Sequence, residues 1–456
     1  MKTFFIKTYG CQMNVYDSMI MSRIAKNLDL EQVNSVDNAD LVILNTCHIR
    51  EKATEKMYSE LGQIKAIERK KSKKIITVVA GCVAQAEGDI ILERANNVDF
   101  VVGPQSLHTL PELLGKVRRL QSKEISLEFE PVEKFDLINQ QDYSHDGIVS
   151  SFLSIQEGCD KFCTYCVVPY TRGAEYSRPV AEILNESCKM VDAGIKEIIL
   201  LGQNVNGYHG KNEDGTACDL GNLIKILGRI PRLQRIRYTT SHPSDMHESL
   251  YKAHAEEEKL MPYLHLPVQS GSNKILKHMN RKHTVEQYLA IISRLRKYNK
   301  SMAFSSDFIV GYPGETDRDF QDTLDLVKEV KFAQAFSFKY SPRPGTPSAS
   351  YSDQIPEDIK HERLMILQDL LSAQQLEFNR SLIGTSVSVL FDRVHKNKDQ
   401  IIGRTPYMQN VYLDTTEEYG TLHTIHINEA FLCSLSGNIL DPYEINHENL
   451  KAKHLS

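Results

Sequence analysis

Three cysteines within eight residues constrain most strongly what this chain can fold into and bind. Cys159, Cys163 and Cys166 form a C-x3-C-x2-C loop directly after a strand that begins near Phe152. Thiolates at this spacing can hold one face of a four-iron cluster and leave one iron without a protein ligand. A zinc knuckle is the alternative, but it needs a fourth ligand, and no cysteine or histidine follows closely after Cys166. The loop therefore predicts a metal centre with an open position, and iron–sulfur is favoured over zinc.

A second set of cysteines is dispersed over the first 82 residues. Cys11, Cys47 and Cys82 each lie just beyond a candidate strand. Because the carboxyl ends of parallel strands share one edge of a sheet, we expect the three thiols to meet there. Any one of them alone would be interpreted as a small buried hydrophobic residue. Their equivalent positions in successive βα units favour a shared role. The cysteines without such an arrangement are Cys188, Cys218 and Cys433.

Alternating apolar and helical patterns predict the fold of the N-terminal part. Strand candidates lie at 4–8, 41–45 and 75–80, with helical patterns near 17–28, 51–70 and 88–95. This rhythm is typical of a parallel sheet covered by helices. We expect an N-terminal α/β domain over residues 1–120. An acidic linker is expected over 121–147, where seven Asp or Glu stand against two Lys.

The central part resumes the alternation. Six further strand candidates begin near residues 152, 197, 235, 263, 303 and 334. Six βα units fit an open, partial (β/α)6 barrel over residues 148–380 better than a complete eight-unit barrel. Five short alternating strands then predict a small antiparallel β-barrel of the OB type over 381–445, followed by a tail at 446–456. The expected fold class is a multidomain α/β protein.

Composition fits globular domains in a reducing compartment. With 41% hydrophobic and 25% charged residues, the chain can build ordinary cores, which argues against disorder. No apolar run approaches the roughly 18 residues of a membrane span, and the first residues lack a signal-peptide core. We therefore expect a cytoplasmic protein without membrane association. There, nine cysteines argue for metal or catalytic roles rather than disulfides.

Ordered sequence motifs surround both cysteine sets and continue to the end of the predicted barrel. They are GCQMN at 10–14, NTCHIREKA at 45–53, GCVAQ at 81–85, YCVVPYTRG at 165–173, LLGQNVN at 200–206, TSHP at 240–243, LHLPVQSG at 264–271, SDFIVGYPGE at 306–315 and RPGTP at 343–347. Together with the cysteine loop, this set resembles the methylthiotransferase family of radical S-adenosylmethionine (SAM) enzymes over essentially the whole chain. The C-terminal part, called the TRAM domain in this family, matches less sharply, through 403–405 and 428–430.

The resemblance implies a tRNA-modifying enzyme with two [4Fe-4S] clusters. Its reaction would add a methylthio group to C2 of N6-isopentenyladenosine at position 37, next to the anticodon. One cluster would bind SAM at its open iron and cleave it by one-electron reduction. The implied ligands of this cluster are Cys159, Cys163 and Cys166. The other cluster would hold the sulfur that is methylated and transferred, and its implied ligands are Cys11, Cys47 and Cys82.

Two glutamines at the predicted barrel mouth are candidates for SAM binding. Gln203 follows the second barrel strand, in a region that contacts the SAM amino group in the superfamily; a simple turn into the next helix is the alternative. Gln269 follows the fourth strand, and Asp307 lies in the fifth. No catalytic side chain beyond the cluster ligands is assigned.

The implied partners are the anticodon loop of a tRNA and a reduced electron donor such as a flavodoxin-type protein, and we expect a monomer. Charge does not indicate RNA, since the net charge is −5 and residues 381–456 carry six Lys or Arg against nine Asp or Glu. Candidate RNA contacts in the small barrel are the segment 393–398 with Arg404, and Tyr407 or Tyr412 for stacking.

Two alternative functions stay open. A related methylthiotransferase could act on threonylcarbamoyl-adenosine in tRNA or on a ribosomal-protein aspartate, although the motifs at 10–14 and 45–53 favour the isopentenyl-adenosine type. From a different class, the chain could be a non-catalytic iron–sulfur or zinc RNA-binding protein. Metal content and nucleoside analysis distinguish these hypotheses.

Overall fold

The computed structural model describes residues 1–48, 51–120, 123–129, 134–136, 143, 147–396 and 399–440. Its helices are α1 Gln12–Asn27, α2 Glu51–Lys71, α3 Cys82–Arg94, α4 Leu110–Leu120, α5 Val168–Arg172, α6 Val180–Asp192, α7 Leu220–Gly228, α8 Glu248–Glu256, α9 Asn273–His278, α10 Val285–Tyr298, α11 Asp317–Val330 and α12 Glu357–Arg380. None of the helices in these ranges combines the length and apolarity needed to cross a bilayer.

The N-terminal part forms a six-stranded parallel sheet, as expected. Its strands are β1 Thr3–Tyr9, β2 Glu31–Gln32, β3 Leu41–Thr46, β4 Ile76–Ala80, β5 Phe100–Val102 and β6 Glu124–Ser126, in the order β2-β1-β3-β4-β5-β6. Helices α1 and α4 cover one face, and α2 and α3 cover the other. Every residue of β3 is buried because the sheet is covered on both sides, which explains its continuous apolar run.

The segment predicted as an acidic linker contributes to this domain. Strand β6 pairs in parallel with β5, so that Val102 lies opposite Ser126. Lys134 is fully buried and forms ion pairs with Asp17 of α1 and with Glu157. A three-residue strand is too short to show an apolar period, which is why the sequence did not indicate it. Residues 121–122, 130–133, 137–142 and 144–146 lie outside the described residues, as does the tail predicted at 446–456.

The central part is an open barrel of six parallel strands, which confirms the predicted class. The strands of this part are β7 Ser150–Ser154, β8 Gln156–Glu157, β9 Tyr176–Ser177, β10 Glu197–Leu201, β11 His209–Lys211, β12 Ala217–Asp219, β13 Arg235–Tyr238, β14 Tyr263–His265, β15 Ala303–Val310 and β16 Gln334–Lys339. The barrel runs β7-β10-β13-β14-β15-β16, with β13 and β14 joined by the bridge from Ile236 to Leu260. Strands β7 and β16 form its two edges.

The two sides of the barrel wall have different neighbours. Leu153, Ile198 and Ile236 pack into the large core beneath the surrounding helices. On the opposite, inner side, Ile199 and Leu201 of β10 join the core of the N-terminal domain. The N-terminal domain therefore covers the inner face at one edge of the barrel.

The C-terminal part is a closed five-stranded barrel. Its strands are β17 Ser386–Val394, β18 Ile401–Arg404, β19 Asn410–Leu413, β20 Leu422–Ala430 and β21 Ser434–Ile439, in the order β17-β18-β19-β21-β20. The expectation of an antiparallel barrel needs one correction, because β19 and β21 pair in parallel to close it. Two buried arginines of β13 attach this barrel to the central one: Arg235 donates to Ser388 O at 2.7 Å and Arg237 to Thr405 O at 2.8 Å.

Candidate metal centres

The dispersed cysteine set comes together at the carboxyl edge of the N-terminal sheet. Its members are Cys11, Cys47 and Cys82. Strands β1, β3 and β4 end in register, with Tyr9 opposite Thr46 and Asn45 opposite Ala80. Each cysteine follows its strand within two residues, so parallel pairing places the three thiols side by side. A Cβ added at Gly10 would lie 2.5 Å from the Cβ of Cys47, which shows how closely the first two loops approach.

Two asparagines from the motifs hold these loops in place. Asn14 Nδ2 donates to Asn45 Oδ1 at 3.1 Å, and Asn45 Nδ2 donates to Asn14 O at 2.7 Å. Asn14 Oδ1 also accepts from the backbone N–H of Cys11 at 3.3 Å. Both side chains are fully buried. The polar residues of the motifs at 10–14 and 45–53 therefore position the loops that carry the thiols.

The thiols of this set differ in acidity. A hydrogen bond from Cys47 and the nearby guanidinium of Arg172 lower the pKa of the Cys11 thiol to about 6. Burial raises the pKa of Cys82, and the charge of Arg172 opposes that effect. At neutral pH Cys11 is thus mostly thiolate, the form in which cysteine binds metals.

The compact set is built by one loop between strands β8 and β9. Cys159 N donates to Gly173 O at 3.2 Å and Cys166 N to Cys163 O at 2.9 Å, which fold the loop back on itself. Gly158 has φ of +75°, and a Cβ there would overlap the carbonyl of Ala174, so the position requires glycine. The loop lies at the carboxyl ends of the barrel strands, where such folds carry their sites.

Arg281 is a neighbour of this loop that the sequence did not reveal. Its Nη1 lies 3.7 Å from Cys163 Sγ, and its guanidinium also donates to Pro267 O. Burial raises the pKa of Cys159 to about 11 and that of Cys166 to about 12. No motif signals Arg281, because it comes into contact with the loop only through tertiary packing across 118 residues.

In the described part of the chain, no three His, Cys, Asp or Glu side chains converge as ligands of a single metal ion do. In a four-iron cluster each thiolate binds a different iron, so such convergence is not required. Within the described residues each set offers three thiols and no fourth protein ligand, which fits a cluster with one open iron.

A buried network of four charges lies between the two cysteine sets. Arg172 Nη2 pairs with Asp17 Oδ2 at 2.6 Å, and its Nη1 lies 3.6 Å from Glu157 Oε2. Lys134 Nζ pairs with Asp17 Oδ1 at 2.9 Å and with Glu157. Arg172 ends the helix that follows the compact loop, yet its charge acts on Cys11 and Cys82 of the other set. The network therefore connects helix α1, which follows Cys11, to the two elements that flank the compact loop.

Unsatisfied buried polar atoms cluster at the barrel mouth. Gln203 Oε1 accepts from Gly158 N at 2.6 Å, which places this predicted residue beside the compact loop. His242 and His283 meet edge to face with ring centroids 5.7 Å apart, and burial followed by the charge of Arg281 lowers the pKa of His283 to about 3. The atoms for which no described residue supplies a hydrogen bond are Gln203 Nε2, Asn204 Oδ1, Ser241 Oγ, His242 Nε2, Arg281 Nε and both ring nitrogens of His283. Buried polar groups are normally satisfied, so these atoms fit a polar ligand such as SAM.

Gln269 has a backbone role in addition to its candidate role as a SAM contact. It adopts φ of +76° and bridges to β15, donating to Asp307 O at 3.0 Å and accepting from Ile309 N at 2.9 Å. The Asp307 side chain faces the barrel interior, with Oδ2 3.4 Å from His265 Nε2. Both positions therefore lie at the inner side of the barrel wall.

The candidate RNA contacts of the small barrel are mostly engaged within the protein. Arg404 is largely buried and pairs with Asp392 at 3.1 Å, and Tyr407 packs against Phe378 of α12. Tyr412 is partly exposed and meets His395 with ring centroids 6.0 Å apart. Tyr412 is thus the aromatic candidate whose ring is partly exposed, while residues 397–398 lie outside the described residues.

Comparisons with known proteins agree with the fold and the cysteine loop. An open six-stranded barrel that carries a C-x3-C-x2-C loop at its mouth defines the radical SAM class, and residues 153–327 match the model of the "Radical SAM superfamily". Residues 3–103 match the model described as "Uncharacterized protein family UPF0004".

Curated relatives narrow the class. A tRNA-2-methylthio-N6-dimethylallyladenosine synthase of Ehrlichia canis (strain Jake) is 59% identical over 96% of this chain and 99% of its own length. A synthase of the same name from Wolbachia pipientis subsp. Culex pipiens is 61% identical over 92% of this chain and 94% of its own length. Another from Neorickettsia sennetsu is 58% identical over 94% of this chain and 91% of its own length. The chain belongs to the family of tRNA-2-methylthio-N6-dimethylallyladenosine synthases.

Solved structures share the fold at low sequence identity. The radical SAM methyltransferase TsrM from Kitasatospora setae, with cobalamin and a [4Fe-4S] cluster bound, superposes with a TM-score of 0.55 at 13% identity, over 76% of this chain and 77% of its own. The cobalamin-dependent enzyme OxsB gives a TM-score of 0.50 at 12% identity, over 82% of this chain and 56% of its own. At this identity the likeness concerns the fold alone.

Proposed function

We propose that this chain adds a methylthio group to C2 of N6-isopentenyladenosine at position 37 of tRNA. The observation that carries the proposal is the presence of two groups of three thiols whose flanking elements are connected by the buried network around Arg172. The family relationship supports the substrate, since the relatives are named for a dimethylallyladenosine product. Two groups suit two tasks, because an open iron occupied by SAM is not available for sulfur delivery.

Six cysteines would hold two [4Fe-4S] clusters. The ligands would be Cys159, Cys163 and Cys166 for the cluster that binds SAM, and Cys11, Cys47 and Cys82 for the auxiliary cluster. When bound, these groups and SAM supply one-electron cleavage of SAM and a sulfur atom for transfer. The chain supplies what surrounds them: Arg281 donates toward Cys163 Sγ, and Gln203 and Gln269 are the candidates for contact with SAM.

The barrel mouth would orient the ligands and exclude water. The unsatisfied polar atoms of Gln203, Asn204 and His242 are buried and would be satisfied by polar groups of SAM. The charge network around Arg172 would keep both cysteine sets at a fixed separation. Fixed donors in a buried site orient a ligand without reorganisation during the reaction.

The remaining expectations belong to the same proposal. The RNA partner would present its anticodon loop, because an unstacked single-stranded adenosine reaches an enclosed pocket at modest cost. A reduced flavodoxin-type protein would supply electrons, and the enzyme would act as a cytoplasmic monomer without membrane association. The proposed limits are 1–120, 121–147, 148–380 and 381–445, with a tail at 446–456, and strand β6 and Lys134 of the second segment pack with the first domain.

Nucleoside analysis of tRNA tests the activity. A strain that lacks its own synthase and accumulates isopentenyladenosine should regain 2-methylthio-isopentenyladenosine when this chain is expressed. The matched control is the chain carrying Cys188→Ala, a cysteine outside both sets, which should restore the product equally. Absence of the product with normal protein levels, or appearance of a methylthio group on another nucleoside, would contradict the proposal.

A further inference from the structure

Two phenylalanines on the inner side of edge strand β16 expose large aromatic side chains. Phe336 and Phe338 are 46% and 47% exposed, although their strand belongs to the barrel wall. Side chains two residues apart in a strand share a face. The residue between them, Ala335, lies on the opposite face of the strand and packs against the core that contains Leu367 of α12. The phenylalanines therefore point away from the helices and into the open barrel.

Polar groups lie beside this aromatic pair. Strand pairing places Asp307 opposite Phe336 and Ile309 opposite Phe338. His265 meets Phe336 edge to face, with ring centroids 6.3 Å apart, and its Nε2 lies 3.4 Å from Asp307 Oδ2. The surface thus combines aromatic carbon with a carboxylate and an imidazole. This chemistry matches a nucleobase that carries an alkyl group better than it matches an acyl chain.

The aromatic pair is continuous with the compact cysteine loop. Ile309, the cross-strand neighbour of Phe338, packs against the same small cluster as Tyr165, which lies between Cys163 and Cys166. At the opposite edge of the barrel the inner face is covered by the N-terminal domain. The aromatic pair therefore lies on the uncovered part of the inner wall that adjoins the proposed site.

We propose that Phe336 and Phe338 bind the N6-prenyl group and ring of the substrate adenosine and so select prenylated over unprenylated tRNA. The inference rests on the proposed function and names the residues that determine its substrate. Bases stack on exposed aromatic rings, and the branched five-carbon group adds apolar area that an aromatic surface removes from water. An unprenylated adenosine keeps the stacking and loses the alkyl contact, so selectivity is the difference between the two affinities.

A matched pair of RNAs tests the inference. Two anticodon stem-loops, identical except for the prenyl group on the target adenosine, are titrated against the reconstituted holoenzyme with SAM and without reductant. The measured quantity is the ratio of the two dissociation constants. We expect the wild type to prefer the prenylated RNA at least about tenfold, and Phe336→Ala with Phe338→Ala to bring the ratio near one. Phe338→Leu, which keeps apolar area, should retain most of the preference.

Controls separate selectivity from folding and from general RNA binding. Phe431→Ala removes a phenylalanine of similar exposure, 52%, from the small barrel and should leave the ratio unchanged. Iron content and thermal unfolding of each variant report on folding, and the single alanine variants replace the double one if it unfolds. An unchanged ratio in the alanine variants, an equal loss for both RNAs, or no preference in the wild type would overturn the inference. Failure of the proposed function would appear separately, as missing methylthio product in the nucleoside assay.

Discussion

The two cysteine sets reach similar donor chemistry by opposite routes. The compact set is one loop that closes on its own backbone, with Cys159 N bonded to Gly173 O. The dispersed set needs three strands to pair in register before its thiols meet. The compact thiols are close in sequence, and distant residues also hold their loop, as Asn280 Nδ2 does by donating to Phe162 O at 2.8 Å. The dispersed thiols, in contrast, come together only when the sheet is formed. One site is thus encoded by the spacing of its cysteines and the other by the topology of the sheet.

Electrostatics separates the sets further. The pKa of Cys11 is lowered to about 6 by the hydrogen bond from Cys47 and by Arg172. In the compact loop, burial raises the pKa of Cys159 to about 11. Arg281 approaches Cys163, but no carboxylate network comparable to that of Arg172 accompanies it among the described contacts. The pKa of the Cys11 thiol is therefore lower than that of the Cys159 thiol before iron binds.

Loss of one thiol from each set should give the largest effect and break the division of tasks. Wild-type protein reconstituted without oxygen should hold about eight irons per chain, four for each set. Cys163→Ala should reduce this to about four and abolish SAM cleavage. Cys47→Ala should also hold about four, yet continue to cleave SAM without forming the methylthio product. Iron analysis and chromatography of the SAM products measure both.

An exposed cysteine outside the sets is the control. Cys433→Ala should keep about eight irons and full product, because its side chain lies on the surface of the small barrel. Normal product from either Cys163→Ala or Cys47→Ala would contradict two separate sites. Zinc in place of iron would contradict the cluster assignment.

The barrel was readable from the sequence because its strands are local apolar runs. The six strands begin within about two residues of their predicted positions, since buried parallel strands need no partner to be recognised. The compact set was recognisable because its three cysteines lie within eight residues of sequence. The convergence of the dispersed set was predictable because the strand ends of a parallel sheet share an edge. Lys134 and Arg281 escaped prediction. Lys134 finds Asp17 only across 117 residues, and a charged residue in a polar segment is expected at the surface.

Removal of Arg172 should destabilise the protein by about 3–5 kcal/mol and so break the connection between the two sets. Arg172→Met leaves Asp17 and Glu157 buried with Lys134 as their remaining cation, and an uncompensated buried charge is costly. Urea unfolding followed by circular dichroism measures the change. The matched control, Arg232→Ala, removes an exposed pair with Asp192 and should cost at most about 1 kcal/mol. Equal effects of the two variants would show that the network is not a structural link.

The smallest expected effect is a difference in alkylation rate between one thiol of each set, Cys11 and Cys159, in the iron-free protein. Cys11 and Cys159 are both partly exposed, so access does not separate them. At pH 7 the Cys11 thiol, with a pKa of about 6, is mostly in the thiolate form. The Cys159 thiol, with a pKa of about 11, has a thiolate fraction of about one in ten thousand. A more acidic thiolate is a weaker nucleophile, which offsets part of the difference in thiolate fraction. We therefore expect Cys11 to be alkylated roughly 50-fold faster than Cys159. The alkylation rate of Cys11 should fall as the pH drops below about 6, while that of Cys159 rises tenfold per pH unit up to pH 9.

Iodoacetamide labelling with peptide mass spectrometry measures both rates. Arg172→Lys, which keeps the charge, should leave Cys11 fast; equal rates for Cys11 and Cys159 in the wild type would remove the electrostatic difference between the two sets.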